Sequence, residues 1–163
     1  ALLNLGKIQD AGEVVSETLA QTPENAKLLG LAGRLARDLG KADEARSYAD
    51  RALAIDPNDT EALLVRAKLD FVSGRLEDVV ADLERLVRIN PNHLASLNLL
   101  TQTLSRLGRP EDAAKVAERR KAANTRLTLM DTLTTEILKH PDDPKPRWQL
   151  GLVAVEGGVL GQG

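Results

Sequence analysis

Few residues in this chain of 163 have types and spacings that chemistry requires. Its two histidines, His93 and His140, stand far apart in the sequence near prolines, and neither has a partner at metal-ligand spacing. They read as loop histidines. Asp142-Asp143 and the pair Asp56 and Asp59 could suggest cation ligands. Each instead precedes a helical pattern, where Asp accepts hydrogen bonds from free helix N–H groups. Gly157-Gly158 and Gly161 follow no strand and lack the Lys-Ser/Thr element of a phosphate loop. No Ser-His-acid arrangement has a structural rationale. The chain has no cysteine, which excludes disulfides, Cys-ligated zinc and thiol catalysis. No catalytic residue, metal ligand or cofactor site is expected, so the chain reads as non-enzymatic.

Charge is the remaining chemical resource. Arg106 to Arg126 holds seven Lys/Arg against three acids, and Arg119-Arg120-Lys121 could touch phosphates. Aromatic stacking partners are lacking there. The whole chain carries −2, which creates no field that selects nucleic acid or an acidic membrane. A solvated helix face is the better reading. No apolar run approaches the roughly 18 residues of a membrane span. Neither nucleic acid nor membrane is expected as a partner. The compartment stays open, with cytoplasm favoured and periplasm compatible.

The elements that carry these residues follow one rule. Gly6, Gly40, Gly74 and Gly108 recur at one constant interval, and Pro23, Pro57 and Pro91 keep the same interval. A fixed period of this length marks a repeat array. Between the marks, apolar residues recur at three- and four-residue steps, as in Ala42, Ala45, Ala49, Ala52 and Leu53. Aromatics make up only 2% of the chain, and a core of Ala and Leu suits close helix packing. The fold class is therefore all-α, a solenoid of antiparallel helix pairs. Gly6 is expected to end a first helix, and Gly33 to admit a neighbouring helix closely. Its partners in the frame, Ala67, Thr101 and Gly151, are small as well.

The frame divides the chain into a half repeat over 1–25, repeats over 26–59 and 60–93, a lengthened repeat over 94–143 and a truncated one over 144–163, all in one domain. The period breaks after Arg120. The next stopping proline is due at Thr125 but stands at Pro141, and the next turn glycine, Gly158, is displaced by the same amount. One long helix is expected from Pro110 to about Lys139, longer than its counterparts by roughly 24 Å. A break, if there is one, falls near Asn124-Thr125, where Thr128, Thr132, Thr134 and Thr135 follow as poor helix formers. A displacement from position 125 to position 141 turns the helix face by roughly 160°. The long helix is then a spacer that reorients two repeat blocks and leaves Leu127, Met130, Leu133 and Ile137 as an exposed apolar stripe for another block or another chain. Because the chain opens inside a repeat, it is expected to be a piece of a longer protein. Its end units are expected to fray over about 157–163 or to self-associate end to end.

These residues resemble the tetratricopeptide repeat. Leu29, Ala32, Gly33, Ala36, Ala45, Ala49, Ala52 and Pro57 match its pattern in register. Leu63, Ala67, Gly74 and Pro91 follow, then Leu97, Leu100, Gly108 and Ala113. In the last unit Leu150-Gly151 is in register and Trp148 is one place late. The resemblance implies a right-handed superhelix whose first helices line a concave groove for a peptide or partner protein. That groove would carry Arg34, Arg37, Lys68, Phe71, Asn98, Gln102, Arg106, Trp148 and Gln149. Amides there suit peptide N–H and C=O groups, and Arg suits a carboxylate. The clamp of chaperone-tail binders is not expected. Its positions are Gly30, Arg34, Val65, Ala95 and Leu99, and only Arg34 is polar. The implied function is a protein-interaction scaffold; the alternative is a recruiting or regulatory array attached to a catalytic domain elsewhere.

Overall fold

The computed structural model describes residues 2–156, and every regular element among them is an α-helix. They are α1 (Leu2–Gln21), α2 (Ala26–Asp38), α3 (Ala42–Ile55), α4 (Thr60–Val72), α5 (Leu76–Ile89), α6 (Leu94–Arg106), α7 (Pro110–Lys139) and α8 (Lys145–Glu156). The chain forms two compact units, divided between residues 89 and 90. The first holds α1–α5 and the second α6–α8.

Three glycines end three helices in the same way. Gly40, Gly74 and Gly108 have φ of +78°, +78° and +72°. After Gly40, the N–H of Lys41 reaches the carbonyl of Ala36 at 2.9 Å, while Gly40 N–H reaches Arg37 O at 2.9 Å. Arg75 N–H to Asp70 O and Arg109 N–H to Leu104 O repeat the first bond at 2.9 Å each. This closure needs a left-handed residue just past the helix, where a Cβ is penalised. Helix starts repeat too. Asn25 accepts from Leu28 N–H at 3.1 Å and Asp59 from Ala62 N–H at 2.8 Å. Asp143 accepts from Lys145 N–H at 3.0 Å, so at these junctions Asp stabilises turns and helix ends.

In the first unit, α4 packs on both α2 and α3, and α1 packs on α2. Ala45, Ala49 and Ala52 are fully buried, as are Leu29, Leu63, Val79, Leu83 and Leu86. A Cβ on Gly33 would lie 3.3 Å from Ala45 O and 3.5 Å from Ala49 N, so the expected close approach is real. In the second unit, α6 packs on α7 and α8 folds back onto α7. Its core includes Leu97, Leu100, Leu104, Val116, Ala123, Leu133 and Ala154.

Several expectations change. Helix α1 passes through Gly6 without a stop. Gly40, Gly74 and Gly108 are each followed by an acid pair in the first turn of the next helix (Asp43-Glu44, Glu77-Asp78, Glu111-Asp112), whereas Gly6 is followed by Asp10 alone, and a lone helical glycine costs only about 1 kcal/mol. Helix α7, by contrast, runs as expected over Pro110–Lys139, continuous through 30 residues with no break at Asn124. The hydroxyls of Thr128, Thr132, Thr134 and Thr135 each bond the carbonyl four residues back, at 2.8–3.0 Å. The stripe on α7 is not exposed. Leu133 is buried, and Leu127, Met130 and Ile137 are half-buried, in the unit where α8 returns along α7. Gly151 has no atom within 4 Å of an added Cβ, so the close approach seen at Gly33 has no counterpart there. The turn at Gly158 and the fraying of 157–163 lie outside the described residues.

Candidate functional site

The first unit brings four of the nine groove candidates onto the first helices of two repeats. Arg34 and Arg37 come from α2, and Lys68 and Phe71 from α4, which packs beside it. Arg34 Nε lies 3.2 Å from Glu61 Oε2, but both side chains are nearly half exposed. Glu61 Oε2 is itself covered and receives no hydrogen bond among the described residues. This pair is loosely aligned and contributes roughly 0–1 kcal/mol. Arg37 pairs with its neighbour Asp38 at 2.6 Å.

Lys68 differs from both. It is half-buried, and among the described residues no carboxylate stands within ion-pair distance of its amino group. Burial pushes its pKa below 10.5; the positive charge of Arg37 adds to the shift, and Asp38 and Glu61 partly oppose it. Phe71, one turn on, is half-buried. This face thus has a desolvated cation, two arginines in replaceable pairs and an aromatic ring. It can accept a carboxylate and an apolar side chain.

The missing clamp has a structural reason. A Cβ on Gly30 would fall 2.5 Å from Asp59 Oδ1 and 3.2 Å from Glu61 Cβ. Asp59 uses that same oxygen to cap α4. Val65, another clamp position, is fully buried. Gly30→Ala is expected to displace the cap and lower stability by about 1 kcal/mol despite alanine's better helix propensity. Urea unfolding followed by circular dichroism checks this.

The second unit holds the other five candidates in two groups. Asn98, Gln102 and Arg106 lie on exposed positions of α6, and Asn98 Oδ1 accepts from Arg120 Nη1 at 3.1 Å. Trp148 is 69% exposed on α8, with Gln149 beside it. His93 occupies a helix N-cap, where its Nδ1 accepts from Ser96 N–H at 3.3 Å. Among the described residues no group of His, Asp or Glu is arranged to hold a metal ion. None of the described helices is long and apolar enough to cross a membrane.

The sequence reading missed an ionic core in the first unit. Asp70 is 2% exposed and receives hydrogen bonds from Arg46 of α3 and from Arg75 after α4. Burial opposes its charge, but the two arginines outweigh burial and hold its pKa below the usual carboxylate value. Arg66 of α4 pairs with the buried Asp82 of α5 at 2.6 Å. A signal was available. Asp70 holds the frame position that Ala36 and Leu104 hold in the flanking repeats, and Arg66 holds that of Ala32 and Leu100, all four of them buried. Charges on core positions of a repeat frame must find each other, because an unpaired buried charge is costly.

Comparisons agree with this architecture. Residues 1–60 match the family model described as tetratricopeptide repeat. Curated protein sequences provide no match. Among solved structures, a crystal structure of MamA aligns with 93% of this chain and 85% of its own at TM-score 0.65 and 16% identity. The double mutant of MamA RS-1 aligns with 98% and 90% at TM-score 0.64 and 15% identity. MamA MSR-1 aligns with 76% and 71% at TM-score 0.60 and 15% identity. Identities this low speak for the fold alone. Residues 1–60 carry the sequence of the tetratricopeptide repeat, and the described helices share the all-helical fold of the MamA structures.

Proposed function

We propose that the chain is a non-catalytic interaction scaffold that binds a peptide segment of a partner protein on the α2/α4 face of its first unit. The supporting observation is Lys68, a half-buried cation held without an ion-pair partner among the described residues. Folding keeps it partly desolvated, and an incoming carboxylate would compensate that burial. Arg34 can exchange its loose contact with Glu61 for the same ligand, and Phe71 offers an apolar flank. A peptide with acidic and apolar residues fits this chemistry. Within the second unit, taken by itself, Asn98, Gln102 and Arg106 on α6 and Trp148 and Gln149 on α8 are proposed as partner contacts.

The test is a titration of the chain with acidic peptides selected on it from a display library. Lys68→Ala is expected to weaken binding about tenfold, and Lys68→Glu with Arg34→Glu to weaken it roughly a hundredfold. Because the folded state lowers the Lys68 pKa, binding should fade at a lower pH than an ordinary lysine would dictate. Equal affinity for wild type and double variant would remove this assignment.

A further inference from the structure

We propose that the groove between α6 and α7 docks the acidic α1 of a second copy of this chain. The groove is a concavity of about 660 Å³ with Leu94, Ala95 and Asn98 on one wall and Ala117, Arg120 and Lys121 on the other. The repeat frame shows why it is open. Ala49, Ala52 and Leu53 of α3 are buried, and so are Leu83, Leu86 and Val87 of α5, their equivalents one repeat on. The next positions in that frame are Ala117, Arg120 and Lys121. Ala117 is half-buried and the other two are exposed. In the first unit, α4 seats itself against both α2 and α3. In the second, α7 runs far past the end its period sets, and α8 packs on α7 after the delayed turn at Pro141. A helix-sized place on α6/α7 is left behind.

Its walls are not those of an apolar repeat contact. Two of the three frame positions on α7 have become cations. Among the described residues Arg119, Arg120 and Lys121 have no ion pair; Arg120 donates only to the Asn98 amide. Arg51 and Arg85, the frame equivalents of Arg119, are tied to the preceding junctions through Pro23 O and Asn58 Oδ1. Arg119 is released from that duty, because Arg126, two turns further along, takes Asn92 Oδ1 at 2.7 Å. Glu118 is the one acid lining the groove, so the surface is basic with a small apolar floor.

The chain itself carries a matching helix. Asp10, Glu13, Val14 and Glu17 share one face of α1 at helical spacing, and all four are exposed, Val14 at 63%. Val15 and Leu19 are buried on the other side, in the helix that packs on α2. Residues 1–89 hold 12 Lys/Arg against 16 Asp/Glu, and residues 90–163 hold 10 against 8. The units therefore carry opposite net charge, which favours contact of the first with the second of another copy. Val14 would meet the floor at Ala95 and Ala117, while Asp10, Glu13 and Glu17 would meet Arg120 and Lys121. A contact of one surface with a different surface need not close, so association should grow with concentration.

The experiment is sedimentation equilibrium of the 163-residue chain. At about 50 mM salt the weight-average mass should rise with concentration, and at about 500 mM it should fall toward the monomer. A basic-side variant (R120E, K121E) and an acidic-side variant (D10K, E13K, E17K) should each lose association by tenfold or more. Mixed one to one, they should recover it, since each now supplies what the other lacks. The single changes K121E and E17K, alone and mixed, repeat the test if either multiple variant fails to fold. A monomer at low salt, or a mixture that stays monomeric, would overturn the proposal. Association abolished by K68E but untouched by the basic-side variant would also overturn it, and would assign the contact to the peptide face instead.

Discussion

Gly33→Leu is expected to lower the stability of the chain by about 2–3 kcal/mol, while Gly151→Leu leaves it unchanged or slightly raised. Both glycines stand at the same place in the repeat, and both changes improve helix propensity by up to about 1 kcal/mol. Their surroundings decide the difference. At Gly33 a Cβ already sits 3.3 Å from Ala45 O and 3.5 Å from Ala49 N, which are backbone atoms. Backbone cannot swing aside as a flexible side chain can, so the rest of a leucine forces α2 and α3 apart. Overpacking of this kind typically costs about 1–3 kcal/mol. The helices that separate carry Leu29, Ala32, Ala49 and Ala52, and α4 rests on both. At Gly151 no atom lies within 4 Å, so only the propensity term remains. Urea unfolding of the two variants by circular dichroism checks the pair.

The second large effect is Asp70→Asn, expected to cost about 2–3 kcal/mol at neutral pH. Arg46 is about a quarter exposed and Arg75 about half, so part of the loss is screened, and the figure lies below that of a fully buried pair. The pH dependence has a definite sign. The folded state lowers the Asp70 pKa from 3.8, so the stabilisation is complete above the unfolded value and is lost as pH falls through the folded one. Wild type and Asp70→Asn should therefore differ most near neutrality and converge in strong acid. Asp59 works in the opposite sense. Burial raises its pKa, against the hydrogen bond from Ala62, so its protonation in mild acid favours the fold. Unfolding free energies across acidic pH distinguish the two contributions, since only the Asp70 contribution disappears in Asp70→Asn.

Elements were legible where local chemistry decides them. Gly40, Gly74 and Gly108 mark helix ends because the closure needs a left-handed residue, and that requirement is readable from type and interval alone. Gly6 shares the interval but lacks the acid pair that follows the other three glycines, and the helix runs through it. The length of α7 followed from two displaced marks, Pro141 and Gly158. The burial of Leu133 did not follow, since it depends on where α8 lands and not on the period of α7. The ionic core was hidden for the same reason. Arg46 and Asp70 belong to different repeats, and only the fold brings them together. Of the proposed peptide face, side-chain types and helix positions were readable. What singles out Lys68 is its partial burial without a carboxylate at ion-pair distance, which a helical pattern does not reveal.

A peptide on the α2/α4 face of the first unit should slow amide exchange there. Hydrogen exchange of the chain, with and without a display-selected acidic peptide at saturation, measures this. Added protection is expected along α2 and α4 around Arg34, Arg37, Lys68 and Phe71, lost together with binding in Lys68→Glu. Protection confined to other helices, with α2 and α4 exchanging as in the free chain, would contradict it.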